Sequence, residues 1–281
     1  MNKHIKIHSE IIKQALELME YNERESTIVF KGKILKIMHS NIWENKDCEI
    51  SENEDLFSYI IGDIWNIANL VQRLNWLRNI AMDNDNNFWH TYASLDIEHI
   101  YVEFRSLCDH LAKLIYYCYD EIPSSRGESF YKLLKWVFEN RENANVDLVE
   151  VFRNSNLLRE EEEIYKTWFG HMREIRDDIN HRGAEAIVFA NPSDGIIFQV
   201  LRWKFNDIVA ALPHISFNEN DLIYFRKYFS LQMASLLLFT EDLANIIIDK
   251  FQLEVFNSYS TGFDIIHKWM EGFHEELISD Y

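Results

Sequence analysis

Proline is almost missing from this chain, with 3 residues in 281, and glycine is scarce at 8. So few chain breakers exclude a loop-rich or collagen-like protein and leave room for long helices. Cysteine is thin as well. Cys48, Cys108 and Cys118 have neither paired nor metal-type spacing, so no disulfide framework or zinc cluster organises the fold, and a reduced, intracellular setting is expected. Positive charge is outnumbered, 28 Lys and Arg against 46 Asp and Glu, for a net charge of −18. That balance excludes nucleic-acid binding driven by overall charge and confines any polyanion site to a local patch. No run of about 18 apolar residues marks a membrane span, and the first residues, MNKHIKIHSEIIKQ, are too polar for a signal peptide. A cytoplasmic protein without a membrane partner is the expectation. Glycine-rich phosphate loops and nucleophile elbows are also missing.

What is present is apolar and aromatic, 47% hydrophobic and 14% aromatic, as a packed core requires. A first helix is expected over 8–22. The β-branched runs in STIVFKGKILKIM flank Lys31-Gly32 and predict a small hairpin about that pair. NIWENKDCEISENED is expected as an exposed loop. Apolar spacing then predicts two long helices, 54–82 and 88–119, which a short polar turn, DNDNN, should fold back antiparallel. Shorter helices follow near 127–139 and 146–153. AIVFANPSDGIIFQVL predicts a second hairpin turning at 191–195. Long helices over 219–250 and 261–277 close the chain. The fold class is therefore mainly α, a helical bundle of long antiparallel helices with one or two small β-hairpin additions. It divides as 1–85, packing on the bundle, and 86–281, the bundle itself with its hairpin near 186–201, or forms a single domain over 1–281.

Residues 158–183, LREEEEIYKTWFGHMREIRDDINHRG, stand apart. At about 100° per residue, Tyr165, Trp168, Phe169, Met172, Ile175 and Ile179 share an arc of roughly 120°, the stripe that a helix buries. Arg176 falls inside that arc. A guanidinium stays charged, so it must meet a carboxylate, a solvent-filled groove or an anionic ligand. His181 follows five residues on, then Arg182, and Gly183 marks the helix end. An inward arginine and a helix-end histidine can meet at the rim of a groove.

Arginine, four residues and histidine also occur as Arg105 and His110 inside the 88–119 helix. There each residue flanks the apolar stripe and is expected to be an ordinary exposed side chain. The copy at Arg176, in REIRDDINHRG, resembles the signature of the HEPN family, the "higher eukaryotes and prokaryotes nucleotide-binding" helical bundles. Asp177 matches that family's polar residue after the arginine, and YASLDIEHIYVEFRSLCDHLAKLI resembles its earlier long helix. The resemblance covers roughly 90–182 and extends to the helix at 219–250. It implies a metal-independent RNA endonuclease of bacterial toxin or antiviral type, needing no cofactor, that works as a homodimer joining two motifs in one cleft. It also leaves room for an antitoxin or regulatory protein as partner. In that chemistry His181 moves a proton at neutral pH and Arg176 holds the scissile phosphate. Asp177 and Asn180 orient these two, and Arg173 and Arg182 contact the RNA backbone. Some members of the family have lost cleavage and act as interaction modules, the competing expectation for this acidic chain.

Three other features have plainer readings. Asp96, His99, Glu103 and His110 share one helical edge, from which Asp96 or Glu103 could neutralise Arg176. Joined by Asp177 and His181, that edge could also hold a metal, but it lacks the Glu-x-x-His pairs of di-iron bundles, and no metal is expected. Glu160 to Glu163 suit a helix start. Arg126, Lys132, Lys135 and Arg141 read as an exposed helix face.

Overall fold

The computed structural model describes residues 3–44, 55–83, 88–158, 166–189, 195–200, 205–217 and 222–279. Among them are ten α-helices and two small antiparallel sheets, so the mainly α class and the small β additions stand. In chain order the elements are α1 (Lys3–Leu16), β1 (Met19–Asn22), β2 (Thr27–Phe30), α2 (Lys33–Ile37), α3 (Asp55–Asp83) and α4 (Trp89–Cys118). Then come α5 (Phe130–Glu139), α6 (Val146–Asn154), α7 (Trp168–Arg182), β3 (Ala186–Val188), β4 (Ile197–Val200), α8 (Asn206–Ala211), β5 (Ile223–Tyr224), α9 (Phe225–Phe251) and α10 (Asp264–Ser279). Buried side chains from Ile5 to Leu277 form one core cluster, so residues 1–85 contribute to the same interior as the rest.

The α3–α4 pair is antiparallel, as its short connection requires. Polar rungs hold its register: Asp63 with His110 at 2.7 Å, Asn66 with Glu103 at 3.2 Å, and a two-pronged Arg73–Asp96 contact whose Nε–Oδ2 arm is 2.8 Å. Each rung pairs a later α3 residue with an earlier α4 residue. Helix α9 runs through the core, buried from Phe225 to Ile247 on most of its faces. By length and composition alone it could also cross a membrane. Most of its apolar stretch is covered by the surrounding helices.

Two expectations near the N-terminus are corrected. The first helix runs over Lys3–Leu16 and not to residue 22, because the chain turns into β1 at Met19. The first hairpin turns at 23–26, not at Lys31-Gly32, and pairs Met19 with Phe30 and Asn22 with Thr27. Gly32 instead precedes α2 with φ −51°, and KILKI is helical. Its lack of a side chain is a matter of space, since a Cβ there would run into the Phe30 ring. Asp264 anchors the hairpin to α10 by accepting from the Ile28 N–H at 2.9 Å and from the Thr27 hydroxyl.

The second hairpin forms as expected and gains a third strand, giving the order β3-β4-β5. β5 is two residues long, too short to leave a period-2 signal. Side chains of α4 hold β3: Glu98 accepts from the Ala186 N–H at 3.0 Å and Ser94 from the Val188 N–H at 3.1 Å. Of the loop expected over 41–55, Asn41–Glu44 instead form a 3-10 turn that buries Ile42, while 45–54, most of the DNDNN turn, 191–194 of the second turn, Cys48, Tyr165 and Glu160 to Glu163 lie outside the described residues. Cys108 and Cys118 are buried thiols.

Candidate functional site

Helix α7 begins at Trp168, inside the stretch 158–183, and Thr167 is its cap: the hydroxyl accepts from the Gly170 N–H at 3.0 Å. The helix start is sunk in aromatic side chains. Phe130 lies 4.7 Å from Phe169 and 5.4 Å from Phe239, and Trp168 donates its indole N–H to the Ser155 carbonyl at 3.1 Å. Phe169, Met172 and Ile175 continue the buried stripe. The far end emerges into solvent, with Asn180, His181 and Arg182 exposed. Gly183 stops the helix at φ +63°, and the Ala184 N–H reaches back to the Asp178 carbonyl at 3.0 Å. The Gly183 N–H returns to the same Asp178 carbonyl, and the left-handed turn that ends the helix is one glycine adopts without strain.

At this end Arg176 and His181 meet. An Arg176 Nη1–H donates to His181 Nε2 at 3.0 Å and to Asp177 Oδ1 at 2.9 Å. Arginine has no acceptor, so the imidazole nitrogen facing it must carry the lone pair, which leaves the ring proton on Nδ1. Arg176 is not deeply buried, with its side chain 27% exposed. Its Nε is nevertheless shielded from solvent and makes no hydrogen bond among the described residues. A buried donor left unspent is costly and leaves the guanidinium one acceptor short.

The remaining expected residues cluster around this pair as an ion network. Arg173 lies over the Tyr131 ring at 4.1 Å and approaches Asp177 Oδ2 at 3.6 Å and Glu174 at 3.4 Å. Asp177 therefore bridges Arg173 and Arg176. Arg182 donates to the buried Asp178 at 2.6 Å and lies 3.8 Å from Glu174. That hydrogen bond, then the charges of Asp178 and Glu174, push its pKa further up. Three arginines thus face three carboxylates, and the local charge is balanced. Asn180 is exposed at the edge of the cluster.

Asp96 and Glu103 do not neutralise Arg176, although the shared helical edge suggests them. Asp96 is taken by Arg73, and Glu103 faces His99 at 3.2 Å. His110 is held by Asp63. These pairings spend the edge that could have offered metal ligands, and no group of three or more His, Cys, Asp or Glu donors suited to a metal occurs among the described residues. The basic residues of α5 and its approach behave as a solvated face: Lys132 pairs with Glu128 at 2.5 Å, Lys135 with Glu139 at 3.9 Å, and Arg141 lies over Phe138 at 4.5 Å.

The second arginine–histidine copy differs from its expectation. Arg105 and His110 are largely covered, with side chains 15% and 18% exposed. Arg105 pairs with Asp109 at 3.2 Å and covers the Phe169 ring at 5.2 Å, while His110 stacks on Tyr59 at 5.3 Å. Sequence spacing gives no sign of this, because both residues sit on polar flanks of α4 that α7 and α3 then cover. No protein-family model matches this chain, and neither a curated protein nor a solved structure matches it.

Proposed function

We propose that the protein is a metal-independent RNA endonuclease whose reacting groups are Arg176 and His181, joined with those of a second copy in a dimer cleft. The observation that carries this reading is the 3.0 Å contact between Arg176 Nη1 and His181 Nε2 at the exposed end of α7. A phosphate seated on the exposed part of the guanidinium would draw the Nη1–H away from His181 and free the imidazole lone pair beside it. The unprotonated nitrogen then takes the proton of the ribose 2′-hydroxyl as that oxygen attacks the adjacent phosphorus. The P–O5′ bond breaks, a protonated imidazole from the second motif returns a proton to the leaving 5′-oxygen, and a 2′,3′-cyclic phosphate remains. Arg176 offsets the negative charge that builds on the non-bridging oxygens. Asp177 holds Arg176 in place, and Arg173 and Arg182 are the adjacent cations for neighbouring phosphates.

A second reading is favoured by one specific observation, the balance of Arg173, Arg176 and Arg182 by Glu174, Asp177 and Asp178. A surface already neutralised from within suits a catalytically silent module that acts through protein contacts. The two readings part on incubation of wild type, Arg176→Ala and His181→Ala with total RNA and tRNA in excess chelator, with fragment 3′ ends analysed. The endonuclease reading requires cyclic-phosphate ends from wild type and none from either variant. RNA left intact by wild type, including at dimer-forming concentrations, selects the silent module.

A further inference from the structure

The water-facing side of a helix is normally charged, and 26% of this chain is charged. The outer face of the α3–α4 pair departs from that rule. Residues 64–82 contain neither an acid nor a lysine. The two arginines among them are placed elsewhere, Arg73 on its rung with Asp96 and Arg78 in a cleft beside Arg226. What stands outward instead is apolar and mostly aromatic. Trp65 is 52% exposed, Trp76 59%, Tyr92 58% and Leu95 57%.

These four side chains share one face. Trp65 and Trp76 differ by only about 20° in helical phase, so they lie on the same side of α3 about three turns apart. The Arg73–Asp96 rung sets the level of the two antiparallel helices and puts Trp76 beside Tyr92 and Leu95 along the pair. All four lie on the side opposite the buried stripes, Ile60, Ile64 and Val71 on α3 and Ile97, Phe104 and Leu111 on α4. The polar groups around them are neutral or paired: Asn66 and His99 both meet Glu103, at 3.2 Å each.

With about 150–250 Å² for a whole aromatic side chain, the exposed parts of the three rings and of Leu95 come to about 500 Å². A stable pair of proteins takes about 800 Å² from each partner, an apolar core within a polar rim, and tryptophan and tyrosine are its usual anchors. We infer that this face is the contact between two copies of this chain, packed about a two-fold axis so that Trp65, Trp76, Tyr92 and Leu95 of one copy meet the same face of the other. Charge favours a copy over a different protein. At a net charge of −18 two copies repel over most of their surface, and they meet most readily where acids are absent or paired, as they are here. A basic partner drawn by the same net charge would go to acidic surface instead. A two-fold contact uses one patch twice, so a neutral apolar patch is complementary to itself. Cleavage at α7 calls for a second copy on any surface; the α3–α4 face supplies one whether or not RNA is cleaved.

Sedimentation velocity of the full chain without RNA, over a series of about 1–100 μM, tests this. Wild type should be a dimer with a Kd of about 10 μM or tighter. Trp76→Ala should weaken it about tenfold or more, and Leu95→Glu, which brings like charge to both sides of the contact, should leave monomer throughout the series. Val146→Glu, at an exposed apolar position on α6, should dimerise as wild type does. Far-ultraviolet circular dichroism should match in all four proteins, because each substituted side chain is exposed, and loss of the dimer is then not loss of fold. Monomeric wild type at about 100 μM would overturn the pairing of copies. A dimer that resists both Trp76→Ala and Leu95→Glu, or one that Val146→Glu breaks equally, would overturn the choice of face.

Discussion

Arg105 with His110 and Arg176 with His181 have the same spacing and opposite fates. Residues five apart on a helix point about 140° away from each other, so nothing in the spacing itself brings an arginine to a histidine. Within α4 each partner is captured by a different neighbour. Arg105 goes to Asp109 and the Phe169 ring on the α7 side, and His110 to Asp63 and Tyr59 on the α3 side. At the end of α7 the exposed histidine remains within reach of the long arginine, which wraps to it at 3.0 Å. Asp109 shows how thoroughly the α4 copy is absorbed into structure, because the same carboxylate also accepts from the Phe130 N–H at 2.8 Å and so helps to start α5. Among the described residues both arginines keep one buried N–H without a partner, Nη1 of Arg105 and Nε of Arg176, so what separates the copies is that only at the exposed end of α7 are arginine and histidine in contact.

Exchanging damage between the two copies gives the largest effects. His181→Ala and Arg176→Ala should each lower RNA cleavage on the order of 10²–10⁴-fold while unfolding free energy stays within about 0.5 kcal/mol of wild type. If chemical denaturation shows His181→Ala to be strongly destabilised, the contrast between the copies fails. Arg105→Ala should behave in the reverse way, losing about 1–3 kcal/mol of stability with cleavage preserved in the folded fraction. Melting curves paired with activity per folded molecule measure both.

The comparison sharpens within α7, which carries a buried histidine at one end and an exposed one at the other. Burial drives His171 down to a pKa of about 4, partly offset by Asp207. Its proton is therefore bound more readily by the unfolded chain, with an ordinary value near 6.5. The stability from the neutral buried ring is complete above about pH 6.5 and is lost as pH falls toward about 4. Thermal midpoints should drop through that window, and His171→Gln should remove a share worth about 1–2 kcal/mol. An unchanged pH profile in the variant would show that other groups set the acid limit. The smallest effect concerns the helix ending. Gly183→Ala places a side chain at φ +63°, and the expected loss is about 1 kcal/mol by denaturant unfolding.

Long elements are legible in the sequence because their cause is local. Apolar residues repeating at helical period over many turns leave few alternatives to α3, α4 and α9, and the short link between α3 and α4 dictates their antiparallel packing. Short elements are harder to place. Gly32 reads as a turn because glycine usually serves turns, but its actual role is to clear the Phe30 ring, which no local pattern encodes. Apolar spacing in the stretch 158–183 runs on past Thr167, so it does not single out the residue that caps α7. The candidate site is legible in part. Arg176, His181 and the stop at Gly183 follow from the pattern of one helix, whereas the choice of Asp177 over Asp96 or Glu103 as partner depends on what α3 has already claimed.

By itself the sequence determined that this protein is mainly helical, that α7 buries one stripe and ends at Gly183, and that an arginine and a histidine stand near that end. These are consequences of residue type and period within a single segment. Tertiary structure alone decided that Arg176 reaches His181 while Arg105 does not reach His110, and that Trp65 and Trp76 share an outer face with Tyr92 and Leu95. Such outcomes depend on which side chains from distant segments arrive first at a shared position. Packing and charge pairing between elements settle that competition, and neither is written in any one stretch of chain.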